Sequence, residues 1–252
     1  MTTTMIFAGS GGQGIQFSGK QMAKTGMYAG KNVKELITDI LDGHYQLEMD
    51  TDLQSRTVTG YLPQMTRREA LQQVCFAIGA VADTSNSKAV KVFRLPAAVT
   101  DIPDTQQYTG ASVETSAITT AVEVTAHTYT KGTGNNAITV GGVNYIHTTS
   151  VTRIENPKVQ PSDRPNVVQI TDATLVNASN VAEIAQRVFD YYDQRDTLQV
   201  KIKVDGETCG GRCRTSTPFG GTISGVITSM NLILSNTIAA NIELHGVAED
   251  DS

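Results

Sequence analysis

Residues Gly220 to Val247 read GGTISGVITSMNLILSNTIAANIELHGV, a run in which apolar residues alternate with small polar ones. Alternation with a period of two is typical of strands that bury one face. We expect two or three strands here: Thr222 to Thr228, Met230 to Ser235, and Ile238 to Leu244. The end of the chain is therefore predicted to form a closing β unit.

The middle of the chain, from Ala111 to Glu155, carries an almost continuous strand signal. Apolar and polar residues again alternate, and glycine-rich turns at residues 132–136 and 141–142 separate the runs. Tryptophan is absent and aromatic residues make up only 6% of the chain, while threonine is abundant. This composition favours strands over helices, and the pattern predicts a small antiparallel β module.

Helical periodicity is confined to a few segments. The clearest follows Thr66, which forms a capping-box pattern with Glu69 three residues later. We predict helices near Val33 to Leu41, Arg67 to Val81 and Val181 to Arg195, the last capped by Asn180. Further extended runs are predicted at His44 to Met49, Thr57 to Leu62, Ala89 to Leu95, Val167 to Ile170 and Leu198 to Val204, with residues 96–103 as a linker.

These segments predict an α+β fold made of small antiparallel β modules, barrel- or sandwich-like, with two or three packed helices. A chain of 252 residues can bury one sizeable core or two smaller ones. We expect three regions: an N-terminal α/β region over residues 1–104, an antiparallel β module over 105–165, and a helix with a C-terminal β module over 166–252.

The charge balance argues against two classes of partner. A net charge of -5 and a pI near 5.4 leave no basic surplus for nucleic acid. No apolar run approaches the roughly 18 residues that a membrane span needs, and the N-terminus lacks the positive charge of a secretory signal. We expect no nucleic-acid partner, no membrane span and folding in the cytoplasm.

A glycine cluster near the N-terminus has the G-x-G-x-x-G spacing of a dinucleotide-binding turn. It follows a short apolar run and precedes a helix-like stretch from Gln16 to Tyr28, so its amides could face a pyrophosphate. The acid expected about 20 residues later would be Glu35, but Glu35 lies in a helical pattern and no βαβ series follows. The candidate cofactor-binding residues are Gly9, Gly11, Gly12 and Gly14. The alternative is a plain turn, and we predict no bound cofactor.

No catalytic or metal-binding constellation is evident. Cys209 and Cys213 are spaced too widely for a C-x-x-C redox pair and have no second pair of ligands nearby for zinc. We interpret them as incidental thiols at a turn, with metal or redox chemistry as the alternative, and Cys75 as a small core hydrophobe. The histidines, which show no ligand spacing, are His44, His127, His147 and His245. We predict no catalytic residue, no metal and no enzymatic activity.

Residues from about 30 to 246 resemble a family of phage tail and baseplate proteins common in prophages of Gram-positive anaerobes. The resemblance is carried by the segments TGYLP (59–63), TRREALQQV (66–74), AIGAVADTS (77–85), IENP (154–157), QRVFDYY (186–192) and TPFGGTISGVI (217–227), with Leu234-Ser235.

This resemblance implies a structural protein of a phage or prophage tail, with a hub-like fold and a place in the baseplate or hub region. Its partners would be other tail or baseplate proteins and further copies of itself, as a trimer or hexamer. It would be assembled in the host bacterial cytoplasm and end in the virion tail.

The first 33 residues separately resemble the start of the gamma subunit of 2-oxoacid:ferredoxin oxidoreductases. The likeness is carried by IFAG (6–9), GGQG (11–14) and Gly19-Lys20. It implies, as the alternative function, an oxidoreductase subunit that binds a nucleotide or a thiamine-enzyme partner through the glycine cluster. The family needs a whole α/β domain beyond this point, and the sequence has a β-rich pattern in its place.

Overall fold

The computed structural model describes residues 26–84, 88–135, 137–207, 209–234 and 237–249. Strands account for 48% of the structure and helices for 19%, which confirms an α+β protein with more strand than helix. Within the described ranges the strands form four sheets, and the buried apolar side chains form three clusters.

Residues 26–93 form an N-terminal module with two small sheets. Its elements are β1 (Gly26–Asn32), α1 (Val33–Leu41), β2 (Gln46–Met49), α2 (Thr51–Gln54), β3 (Thr57–Leu62), α3 (Arg67–Ile78), β4 (Val81–Asp83) and β5 (Ala89–Phe93). Strand β1 is antiparallel to β3, while β5 lies between β2, to which it is parallel, and β4. The apolar faces of α1 and α3 meet in one cluster, which includes the fully buried Leu36, Ile37 and Val74.

The ends of α3 follow directly from its sequence. The capping box is present, because the Thr66 side chain accepts the backbone N–H of Glu69 and the Glu69 carboxylate accepts the backbone N–H of Thr66. The helix ends at Ile78 and not at the predicted Val81, because Gly79 adopts a left-handed conformation with φ of 70°.

The rest of the chain forms two larger sheets. Their elements are β6 (Val99–Ile102), β7 (Ser112–Thr115), β8 (Ala121–Lys131), β9 (Ala137–Val140), β10 (Val143–Glu155), β11 (Val167–Ile170), α4 (Val181–Asp193), β12 (Asp196–Lys203), β13 (Arg212–Ser216), β14 (Thr222–Leu234) and β15 (Ile238–Glu249). A six-stranded sheet has the order β6-β13-β14-β15-β12-β7, and a four-stranded sheet has the order β11-β8-β10-β9.

The four-stranded sheet and α4 lie in the chain between β7 and β12, so they interrupt the six-stranded sheet. Helix α4 packs on β8 and β10 around Val122, Val124 and Ile184. This core therefore contains residues from both sides of residue 165, the predicted boundary between the second and third regions. The division of the chain into three regions stays a prediction.

The strands β14 and β15 approach closely at a pair of glycines. Gly225 and Gly246 lie opposite each other in the antiparallel register. A Cβ atom on Gly246 would lie 2.0 Å from the carbonyl oxygen of Ser224, and one on Gly225 would lie 2.2 Å from that of His245. Only glycine fits at these two positions while the backbones keep this separation.

Three local predictions were wrong. Gly26 to Tyr28 belong to β1 and not to a helix, because they pair with β3. The predicted linker at 96–103 contains β6, which is parallel to β13. The Asn180 side chain accepts the N–H of Asn177 instead of capping α4. Of the two or three strands expected after Gly220, the structure has two, because the residues up to Leu234 form one strand, β14, with an irregularity between Ile227 and Ser229.

Candidate assembly surface

The hairpin of β14 and β15 extends its apolar face beyond the core. Cross-strand pairing places Met230 opposite Ile242, Leu232 opposite Ala240, and Leu234 opposite Ile238. Met230, Ala240 and Ile242 are buried, whereas Leu232, Leu234 and Ile238 are 54%, 78% and 55% exposed. We call these last three residues the apolar tip. It is a continuous exposed patch and not a set of scattered side chains, which is a feature of interaction surfaces.

The strand that carries the apolar tip also has an open edge. Strand β13 pairs with β14 only from Thr222 to Val226. From Ser229 to Leu234, β15 is the one strand paired with β14 among the described residues. In an antiparallel pair, alternate residues turn their N–H and C=O groups away from the partner, so this segment presents unpaired backbone groups beside apolar side chains. An apolar open edge is a template for association with another chain.

Two further apolar side chains are exposed at the other end of the same sheet. Phe219, in the turn between β13 and β14, is 85% exposed, and Val247 near the end of β15 is 44% exposed. The 13 residues of β14 separate this end from the apolar tip by about 40 Å. The sheet thus has exposed apolar side chains at both ends.

A polar cavity of about 190 Å³ lies where the N-terminal module meets α4. Arg56 lines it, donates to the carbonyl of Ile78 at 3.4 Å and lies 3.6 Å from the Glu183 carboxylate. Arg187 donates to the carbonyl of Phe76. The two arginines therefore occupy the carbonyl end of α3, where positive charge is favourable. These charges hold the module against α4.

The three cysteines are free thiols that differ in burial. Cys75 is fully buried in the core, and burial raises the pKa of its thiol to about 12. Burial, with a smaller effect of Glu207, raises the pKa of Cys213 to about 11. Cys209, which is half-buried, is also a free thiol. Within the described residues, no group of three or more His, Cys, Asp or Glu side chains is placed to hold a metal.

Two histidines that are distant in the sequence meet on the four-stranded sheet. His127 on β8 and His147 on β10 are 2.9 Å apart between Nδ1 and Nε2, and His147 stacks on Tyr129. Tyr129 also makes an edge contact with Tyr61 of β3. The sequence spacing of these residues matches no metal-ligand motif, so motif searches do not predict this cluster. The register of the β8–β10 hairpin would have predicted it, because that register places His147 opposite Tyr129.

The remaining candidate residues are dispersed. The glycine cluster and most of the oxidoreductase-like segment lie outside the described residues. Tyr191 and Tyr192 at the end of α4 contact each other edge to face, and Tyr191 also contacts His245, as expected for packing at a helix end. None of the helices in the described ranges is long and apolar enough to cross a membrane.

No protein-family model matches this sequence, and no curated protein matches it. Similarity is found at the level of solved structures. A tail protein from Neisseria meningitidis MC58 matches with a TM-score of 0.61 and 12% identity, over 91% of this chain and 71% of that one. The 43 kDa tail protein of prophage MuSo2 from Shewanella oneidensis matches with a TM-score of 0.58 and 11% identity, over 87% and 67%.

A chain from the virion of a native gene transfer agent matches with a TM-score of 0.55 and 11% identity, over 85% of this chain and 47% of that one. This chain thus spans about half the length of that virion protein. The similarities run through both large sheets and the N-terminal module, since they cover nearly all of the described residues. The fold of this chain is therefore the one found in phage and prophage tail proteins.

Proposed function

We propose that this chain is a structural component of a phage or phage-derived tail, in the baseplate or hub region, and that it acts by assembly and not by catalysis. The observation that carries the proposal is the fold similarity to tail proteins over 91% of the chain. The match to a virion chain of a gene transfer agent supports a place inside a particle. The protein would be assembled in the bacterial cytoplasm.

The proposed partners are further copies of this chain, as a trimer or hexamer, and other tail proteins. Exposed apolar side chains at both ends of one sheet support this, because unlike surfaces that bind each other give head-to-tail contacts. Such contacts close into a ring when a whole number of identical rotations from one subunit to the next completes a full turn. The net charge of -5 supports protein partners over nucleic acid.

Particle size and mass test the proposal most directly. We expect the purified chain to form closed rings in negative-stain images, with the matching mass by analytical ultracentrifugation. The double variant Leu232→Ser with Leu234→Ser removes apolar area from the tip while leaving the core intact, so we expect it to shift the particles toward monomer. A wild-type protein that stays monomeric at high concentration and never joins tail particles would refute the proposal.

The chain offers a matched control. Val151 on β10 is 61% exposed, similar to Leu232, but belongs to the other large sheet. Val151→Ser removes about as much exposed apolar surface as the single change Leu232→Ser, but outside the proposed interface, so it should leave the ring intact while Leu232→Ser weakens it. If Val151→Ser dissociates the particle and the tip variant does not, the interface lies on the four-stranded sheet.

A further inference from the structure

The connection between β11 and α4, residues 171–177, joins the four-stranded sheet to the N-terminal module. On the module side, Gln73 of α3 donates to the carbonyl of Asp172 at 2.9 Å and accepts the N–H of Thr174 at 3.1 Å. The Asn177 side chain donates to the carbonyl of Thr59 on β3 at 2.9 Å. These bonds attach the connection to both α3 and β3.

On the sheet side, the same connection is held by His127. The backbone N–H of His127 donates to the carbonyl of Val176 at 2.8 Å. Its ring Nε2 lies 3.0 Å from the carbonyl oxygen of Thr171, and its ring Nδ1 lies 2.9 Å from Nε2 of His147. His127 is only 7% exposed, so both ring nitrogens depend on these partners.

The chemistry of the partners fixes the proton positions. A carbonyl oxygen can only accept, so Nε2 of His127 carries the hydrogen and Nδ1 of the neutral ring accepts. Nε2 of His147 must then donate to it. A proton added at Nδ1 of His147 leaves this hydrogen bond intact, whereas a proton at Nδ1 of His127 places two N–H groups face to face. The pair can therefore hold one added proton but not two.

We propose that the His127–His147 pair is an acid-sensitive contact, which joins the four-stranded sheet to the N-terminal module at neutral pH and releases the 171–177 connection when both rings are protonated. This goes beyond the proposed structural role and does not depend on it. The released contact is local, because the core clusters on either side do not include either histidine.

The compensating charge near the pair comes from Asp172, and it does not outweigh the effect of burial on the pKa of His127. Burial lowers the pKa of His127, and the charge of His147 lowers it further, although the bond to the Thr171 carbonyl and the nearby Asp172 act in the opposite direction. Tyr129 on β8 stacks on both imidazoles, and Tyr61 on β3 contacts the Tyr129 ring edge to face. The titratable or charged groups around the pair are Asp172 after β11, Tyr61 on β3, Tyr129 and Lys131 on β8, Tyr145 on β10, and the paired Glu123 and Arg153 further along the same face.

The sign of the pH effect follows from the lowered pKa. The pKa of His127 is about 6.5 when the connection is open and lower when it is closed. At pH values between these two pKa values, His127 binds a proton in the open state that it does not bind in the closed state. Opening is therefore increasingly favoured as the pH falls through this window, by at most about tenfold per pH unit. Well above the ordinary histidine pKa of about 6.5, the His127 ring is neutral in both states and the effect disappears.

Hydrogen exchange of the full chain between pH 6.5 and 5 tests the proposal. After correction for the intrinsic exchange rate, we expect protection of the amides of His127 and Thr174 to fall as the pH is lowered, by up to about tenfold per pH unit. His127→Gln keeps a side-chain donor for the Thr171 carbonyl but takes up no proton, so the fall should disappear. The matched control is His245→Gln, which changes a strand histidine of the six-stranded sheet and should keep the wild-type fall.

Two further measurements keep the proposal testable if His127→Gln does not fold. In His147→Gln the amide can turn its oxygen toward a protonated His127, so the fall in protection should shrink. Imidazole nitrogen shifts at pH 7.5 should show the Nε2–H tautomer for both rings. The Nδ1–H tautomer for His127, an unchanged fall in either pair variant, or the absence of a fall in the wild type would each overturn it.

Discussion

Replacing Gly246 by alanine should destabilise the six-stranded sheet strongly. The new Cβ would lie 2.0 Å from the carbonyl oxygen of Ser224, and contacts under 3.0 Å are essentially never adopted, so the two backbones must separate by about 1 Å. Overpacking of this kind costs about 1–3 kcal/mol. The separation also weakens the neighbouring ladder hydrogen bonds, and losing two of them adds about 2 kcal/mol. We expect a loss of about 3–5 kcal/mol, a large part of the 5–15 kcal/mol that stabilises a typical domain.

Chemical denaturation measures this loss. The chain has no tryptophan, so strand content is followed by circular dichroism. Gly134→Ala is the matched control, because a Cβ there meets only the Ile146 side chain, at 3.9 Å, and the change should stay within about 0.5 kcal/mol. Gly225→Ala combined with Gly246→Ala should cost less than the sum of the single changes, since one separation of the strands relieves both contacts. A Gly246→Ala protein as stable as Gly134→Ala would refute the close approach of β14 and β15.

Other predictions concern the N-terminal module and the thiols. Leu175→Ala should cost about 2–5 kcal/mol in thermal or chemical unfolding, because Leu175 is fully buried in the cluster of the N-terminal module and the change leaves a cavity. Thr66→Ala removes the acceptor of the Glu69 N–H and should cost about 1 kcal/mol by the same measurement. At pH 8 iodoacetamide should modify Cys209 before Cys75, because the pKa of about 12 and the complete burial of Cys75 keep its thiol protonated and inaccessible. Mass spectrometry of digests taken during labelling gives the order of modification. Early labelling of Cys75 would contradict its place in the core.

Local sequence signals predicted the elements that local interactions determine. The helix after Thr66 was found because its capping box and its apolar periodicity both lie within one short segment. The alternating run after Gly220 predicted strands for the same reason. The single 13-residue strand β14 was not predicted, because its continuity past Thr228 depends on pairing with β15 and not on its own residues.

Contacts between distant segments of the chain could not be predicted from local sequence patterns. Strand β6 is exposed along most of its length and has no clear alternation, and it is a strand because β13 pairs with it from far along the chain. The exposure of the apolar tip was missed for a similar reason: Leu232, Leu234 and Ile238 have the pattern of core residues, and only the three-dimensional structure shows that the core ends before them. The meeting of His127 and His147 likewise depends on the register of β8 and β10.

The interruption of the six-stranded sheet has a consequence for the order of folding during synthesis. Ile102 of β6 and Thr215 of β13 touch across 113 residues of chain, so β6 and β7 leave the ribosome long before their partners exist. The four-stranded sheet and α4 are complete at Asp193 and can fold first. At about 5–20 residues per second, the remaining strands follow within roughly ten seconds. The apolar tip is made after the four-stranded sheet and α4, so nascent chains have no completed hairpin with which to associate while those elements fold.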